Sequence, residues 1–235
     1  LGRTRPLSAR VKICGLSTGD TLAAALDAGA DLVGFVHFPK SPRHLGWAEA
    51  RVLAAAVRGR AERVVLLVDP DDAALAAAVE SVAPDLIQLH GRESPERVAA
   101  IRRLTGRPVM KALGIGEAAD LARVADYAAA DRLLLDAKPP RGGDLPGGNG
   151  LAFDWSLLSG TALPRGWMLS GGLRPSTVAE ALARTRAPAV DVSSGVETAP
   201  GVKDPGLIAA FIRAVRAGDA PGDVAAGLAS APRGV

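Results

Sequence analysis

Two side chains in this sequence stand where they could pass protons to and from a small molecule. Cys14, the sole cysteine, ends the apolar run Val11-Lys12-Ile13-Cys14, and Asp136 ends Leu133-Leu134-Leu135-Asp136. A thiol, with an ordinary pKa of about 8.5, becomes a base when nearby positive charge lowers that value, and a carboxyl becomes an acid when burial raises it. Two other stretches have the design of an anion cradle. Ala189-Val190-Asp191-Val192-Ser193-Ser194-Gly195-Val196-Glu197 is a short apolar strand that ends in small residues with accessible backbone N–H groups. Met168-Leu169-Ser170-Gly171-Gly172 repeats the plan, and Pro175-Ser176-Thr177 then opens an amphipathic helix whose N-terminus carries partial positive charge. Side by side, two such turns would clamp one phosphate. Proton transfer on a sugar phosphate is the chemistry this set suits.

Each of these residues also has a plainer reading. A lone cysteine is most often a small buried hydrophobe, Asp136 could cap or order the loop after it, and Gly171-Gly172 could be only a tight turn. Arg43, after Pro42, reads by itself as a surface charge. His90 reads as a hydrogen-bonded interior residue rather than a catalyst, and His37 and His44 have no second ligand signal near them that would argue for zinc. The choice between readings depends on the fold.

Short apolar strands alternate with segments of helical period along the chain, the signature of repeated βα units. Strands are expected at 11–14, 32–35, 63–68, 86–89, 109–112, 132–136, 167–170 and 189–193, and helices at 21–28, 47–57, 72–82, 95–104, 118–127, 156–158, 175–184 and 205–217. Leu75, Val79 and Val82 show the three-to-four spacing of a face packed on a sheet. Caps are expected at Ser17 or Thr18, at Ser94-Pro95 and at Asp204-Pro205. Eight such units imply a single-domain (β/α)8 barrel over residues 1–217. A doubly wound open sheet would want Gly-x-Gly-x-x-Gly after its first strand, and Cys14-Gly15-Leu16-Ser17 is not that.

Barrel closure turns positions into neighbours. The last strand lies beside the first, so the phosphate turns, on the loops after strands seven and eight, face Cys14 and Asp136 across one mouth. Strand alternation puts Lys12 and Cys14 on one side and Val11 and Ile13 on the helix side. A lysine inside a barrel needs a partner, and Asp191 has the parity to supply it. Outside the repeat, the Gly/Pro-rich stretch 138–150 reads as a mobile lid, and the Ala/Gly/Pro tail 218–235 as a flexible end.

Composition narrows the function classes. The chain has 235 residues, 48% hydrophobic and 23% charged, enough for one full core. The net charge of +3 is small and the basic residues are scattered; with only 3% aromatics for stacking, nucleic acid is not the expected partner. No apolar run is long enough for a bilayer and the first ten residues lack the apolar core of a signal peptide, so the expected location is the cytoplasm, with no membrane partner. A single cysteine excludes an internal disulfide framework and a cysteine-cluster metal site.

Taken together, Lys12-Ile13-Cys14-Gly15, Ser41-Pro42-Arg43, Gln88-Leu89-His90-Gly91, Leu134-Leu135-Asp136, Phe153-Asp154-Trp155, Leu169-Ser170-Gly171-Gly172 and Asp191-Val192-Ser193-Ser194-Gly195-Val196-Glu197 resemble the phosphoribosylanthranilate isomerases of tryptophan biosynthesis. The motifs occur in that family's order and span residues 11–216. The resemblance implies an Amadori rearrangement, in which the ribose ring of N-(5-phosphoribosyl)anthranilate opens and the aldose amine becomes a 1-deoxyribulose amine. It makes Asp136 the general acid toward the ring oxygen and Cys14 the general base toward the sugar C2 proton. It brings Arg43 to the anthranilate carboxylate, and Gly171, Gly172, Ser194 and Gly195 to the phosphate. It implies no metal or organic cofactor, and a monomer or homodimer. One departure is local: the family usually has Gly, Thr or Ser, Gly before the Phe153 motif, where this chain has Gly148-Asn149-Gly150. Two alternatives remain, another phosphosugar barrel enzyme and a non-catalytic phosphate-binding scaffold.

Overall fold

The computed structural model describes residues 9–138, 147–148 and 150–217. Its eight parallel strands are β1 (Arg10–Cys14), β2 (Leu32–His37), β3 (Glu62–Leu67), β4 (Leu86–Leu89), β5 (Val109–Ile115), β6 (Arg132–Ala137), β7 (Met168–Leu169) and β8 (Ala189–Val192). They hydrogen-bond in chain order, and β8 pairs back to β1 with Lys12 opposite Asp191, closing the barrel that the alternation implies. Around it lie α1 (Gly19–Asp27), α2 (Trp47–Val57), α3 (Asp72–Val82), α4 (Pro95–Thr105), α5 (Val178–Thr185) and α6 (Pro205–Ala217). No described helix is long and apolar enough to cross a membrane.

The expected caps form. Thr18 Oγ1 accepts from Thr21 N at 3.3 Å, Ser94 Oγ from Arg97 N at 3.2 Å and Asp204 Oδ1 from Leu207 N at 2.7 Å, each satisfying an orphan donor of a first helical turn. Two crossovers differ from the α-helices expected. The fifth, Ala118–Tyr127, is a 3-10 helix whose start is folded back by Asp120, which accepts from Gly116 N and Glu117 N and pairs with Lys138 at 2.8 Å. The sixth, Trp155–Leu158, is one 3-10 turn capped by Asp154. A small hairpin, β9 (Glu197–Ala199) and β10 (Val202–Lys203), follows β8 and has no counterpart in the strand pattern. Of the stretch expected to act as a lid, residues 139–146 and 149 lie outside the described residues, as does the whole tail 218–235.

The barrel interior is built in layers of alternate side chains. Leu32, Val64, Leu86, Met110, Leu134, Met168 and Ala189 form a closed apolar cluster, while Val11, Ile13 and Val190 face the helices in the larger outer core. Two residues further along the same inward faces the side chains change character: Leu32 is followed by Gly34, Leu86 by Gln88, Leu134 by Asp136, Met168 by Ser170 and Ala189 by Asp191. The apolar layer is the floor, and the polar layer is the bottom of a mouth at the strands' C-terminal ends.

One charged pair lies on the outer side. Lys111 points from β5 toward the helices, and its Nζ reaches Glu93 Oε2 and Gly91 O, each at 2.8 Å, with both side chains almost wholly buried. Glu93 also accepts from Gly91 N and Asp69 N, so the pair ties down the turn after β4. Removing one partner of such a pair strands the other charge in the interior. Lys111→Met should therefore cost about 3–5 kcal/mol in urea unfolding, and adding Glu93→Gln to it should recover part of the loss.

Candidate active site

Lys12 Nζ donates to Asp191 Oδ1 at 2.9 Å with both groups buried, the pairing expected from strand parity. Burial pulls the ammonium toward its neutral form, but the Asp191 carboxylate and the neighbouring Cys14 outweigh it, and Lys12 lies above its ordinary value of 10.5. Cys14, at the end of β1, is 3% exposed. Burial pushes its thiol up from 9.0, Lys12 draws it back, Asp191 adds to the rise, and the net shift is upward. The cation that could make this thiol a base is thus in place, yet in the free protein the proton stays on sulfur at neutral pH. Gly34 on β2 makes the room for both groups. A Cβ there would stand 3.0 Å from Cys14 Sγ and 3.2 Å from Lys12 Nζ.

Asp136 faces the cavity from β6, with 6% of its surface exposed. Its Oδ1 accepts from Ala137 N at 2.8 Å, and its Oδ2 lies 3.3 Å from His90 Nε2. His90 is a hydrogen-bonded residue, as its sequence position suggests, but it stands at the mouth beside Asp136 rather than deep inside. The signal that could have found it is the inward parity of Leu86 and Gln88 on β4, which continues to His90 just past its end.

The two glycine-rich turns are neighbours in space. Gly171 and Gly172 hold φ of +89° and +63°, the region that glycine enters freely, and a Cβ on Gly171 would lie 2.7 Å from Ala137 N. After β8, Ser194–Val196 makes one 3-10 turn, and a Cβ on Gly195 would collide with the Leu173 carbonyl oxygen. Gly171, Gly172, Ser194 and Gly195 line the same cavity as Cys14, Asp136 and Arg43. With the open solvent at its mouth that cavity holds about 780 Å³.

Arg43 is not the surface charge that its local sequence suggests. It is 6% exposed, and its guanidinium forks onto Glu197, Nε to Oε1 at 2.7 Å and Nη2 to Oε2 at 2.8 Å. The same carboxylate pairs with Lys203, which donates onward to Ser193 O at 3.0 Å and Ser193 Oγ at 3.1 Å. Glu197 and Lys203, to which the sequence reading gave no role, brace Arg43 and the turn after β8. Glu197 closes the quoted Asp191–Glu197 motif, but its partner lies across the chain. Burial pushes Glu197 up; the Arg43 hydrogen bonds and the Lys203 charge outweigh that and hold it at about 2.

Residues 11–214 match the family model described as N-(5'phosphoribosyl)anthranilate (PRA) isomerase. The chain belongs to this family. An N-(5'-phosphoribosyl)anthranilate isomerase of Azorhizobium caulinodans is 65% identical over 91% of this chain and 94% of its own length. One from Rhodopseudomonas palustris is 61% identical over 91% and 98%. Among solved structures, the phosphoribosyl anthranilate isomerase of Thermotoga maritima superposes with a TM-score of 0.79 at 36% identity, over 89% of this chain and 99% of that one. Another isomerase of the family, solved in complex with reduced 1-(o-carboxyphenylamino)-1-deoxyribulose 5-phosphate, has a TM-score of 0.76 at 34% identity over the same shares.

Two measurements check the electrostatics. Alkylation of Cys14 by iodoacetamide across a pH series should titrate above 9.0, and Lys12→Gln should move the midpoint higher still, since it removes the charge that favours the thiolate. For Glu197, a folded value of about 2 against an ordinary 4.5 means that its contribution is present above pH 4.5 and lost as pH falls through 2. The stability gap between the natural chain and Glu197→Gln, followed by urea unfolding, should shrink by roughly 3 kcal/mol from neutral pH to pH 2.

Proposed function

We propose that this chain catalyses the reaction its family is named for, the Amadori rearrangement of N-(5-phosphoribosyl)anthranilate to 1-(2-carboxyphenylamino)-1-deoxyribulose 5-phosphate. The observation that carries the reading is that the Cys14 thiol and the Asp136 carboxyl line a single cavity with two glycine-rich turns, beside a buried arginine. Asp136 gives its proton to the furanose ring oxygen as the C1–O bond breaks, and the anthranilate nitrogen lone pair closes the C1=N bond of a protonated Schiff base. Cys14 takes the proton from C2, and the electrons of the C–H bond form the C1=C2 bond while the C=N pair returns to nitrogen. The resulting enolamine moves a proton from its C2 hydroxyl to C1 and becomes the ketone. Both enzymic proton transfers use side chains, so the reaction calls for no cofactor.

The thiol's raised value sets a condition on this mechanism. Cys14 serves as a base only if the Lys12 charge, or the iminium that forms on the substrate, compensates for its burial at the moment of transfer. Arg43, braced by Glu197 through Nε and Nη2 and bonded through Nη2 to Gly148 O at 3.3 Å, meets the anthranilate carboxylate through Nη1. The backbone N–H groups of Gly171, Gly172, Ser194 and Gly195 receive the phosphate, a role that supplies charge stabilisation without a bulky side chain. We assign the protein to the cytoplasm, acting as a monomer or homodimer.

The test is loss of fluorescence of freshly generated phosphoribosylanthranilate with the natural chain, Cys14→Ala and Asp136→Asn. Activity in the natural chain and a drop of about 10²- to 10⁴-fold in each variant, with binding of the reduced product analogue retained, are the expected results. An inactive natural chain that still binds the analogue would make this a phosphate-binding scaffold. Full activity in Cys14→Ala would remove the thiol from the mechanism.

A further inference from the structure

Asp136 does not stand alone on its side of the mouth. His90 Nε2 lies 3.3 Å from Asp136 Oδ2, and the other ring nitrogen, Nδ1, lies 3.2 Å from Gln88 Nε2. Gln88 is fully buried in β4 and His90 follows two residues later on the same inward face. An amide NH2 only donates, so the ring nitrogen it meets must carry the lone pair, and the proton of the neutral imidazole is then on Nε2, the atom that faces the carboxyl. If the amide were turned over, Gln88 Oε1 would take a proton on Nδ1 and leave Nε2 to present a lone pair to Asp136. That pair would repel a carboxylate or draw the acid's proton away from the substrate. Gln88 Oε1 is buried without a hydrogen-bond partner among the described residues, so the ring contact through Nε2 is the one the amide makes.

We propose that Gln88 and His90 are positioning residues for the acid: Gln88, at Nδ1, keeps the ring proton on Nε2, and that N–H faces Asp136 Oδ2. Ala137 N already holds the other oxygen, Oδ1, at 2.8 Å. Between them, the two donors fix the carboxyl plane and receive the negative charge that remains once the proton has gone to the ring oxygen. The turn that carries His90 is itself rigid, because Lys111 Nζ is bonded to Gly91 O and stands 3.5 Å from Leu89 O, the carbonyls on either side of it. Backbone also covers the contact. A Cβ on Gly147 would lie 2.6 Å from His90 Nε2 and 2.7 Å from Asp136 Oδ2. The proposal rests on Asp136 being the acid, and its test keeps the two apart.

The chain has three histidines, so 15N-histidine labelling with His90→Gln as the assignment control resolves the ring in question. Two-bond 1H–15N spectra at neutral pH should show His90 protonated on Nε2 and bare on Nδ1 in the natural chain, and a mixture of tautomers in Gln88→Leu. His90→Leu should lower kcat roughly 10- to 100-fold, less than the loss of a transition-state donor can reach, with KM within about threefold. His90→Gln, which restores an N–H donor, should recover part of it. In an Asp136→Asn background His90→Leu should cost nothing more, because the ring acts through that carboxyl. A proton on Nδ1 in the natural chain, unchanged kcat in both Gln88→Leu and His90→Leu, or a full additional loss in the double variant would overturn the proposal. A fully active Asp136→Asn would instead sink the acid assignment, and the tautomer spectrum would still report on Gln88 and His90. Gln88→Leu keeps the test open if His90→Leu does not fold.

Discussion

A barrel can close only if its first and last strands find one register, and here an ion pair sits at that seam. Lys12 and Asp191 are paired residues of β1 and β8, both buried, with the ammonium 2.9 Å from the carboxylate. Slipping the seam by one residue would turn one charge toward the helices and leave the other alone inside, at a cost of several kcal/mol. Because the pair sets β1, it also sets Cys14, two residues on and on the same face. The thiol therefore stands at the mouth beside a cation that closure itself requires. Gly34, on the neighbouring strand, completes the arrangement by having no side chain to fill the space.

The same device recurs wherever a cation is buried. Arg43 is held by Glu197, Lys203 by Glu197 and Ser193, and Lys111 by Glu93. Each carboxylate holds its cation in one orientation, which is what a site needs if its groups are to meet a transition state without rearranging. In two of these networks the held segment is a loop at the strands' C-terminal ends. Glu197 and Lys203 join the turn after β8 to the Arg43 loop after β2, and Glu93 with Lys111 stiffens the turn that carries His90. Cys14, Gln88 and Asp136 come from β1, β4 and β6, and the carboxylate networks bring the loops between them to the same cavity.

The barrel, its inward parity and its reactive end were legible in the chain because each follows from local pattern. The run Leu86 to Leu89 and the helices at 47–57, 72–82 and 205–217 lie where period and caps put them. Strand alternation foretold that Lys12 and Cys14 share a face and that Asp191 answers the lysine. The two 3-10 crossovers were less legible, since a side chain folding back onto the backbone, as Asp120 does on Gly116 and Glu117, leaves no mark on hydrophobic spacing.

By itself the sequence determined the repeated βα units, the carboxyl and thiol at two strand ends and the glycine-rich turns, because periodicity, parity and turn chemistry act over a few residues. Only the tertiary structure decided which side chains meet. Arg43 and Glu197 are 154 positions apart, and the fork between them makes a buried anchor of a residue whose neighbours suggest a surface charge. His90 becomes the companion of Asp136 because β4 and β6 face a common mouth, and the Cys14 thiol rises rather than falls because burial, a property of the whole closed barrel, outweighs the one cation beside it.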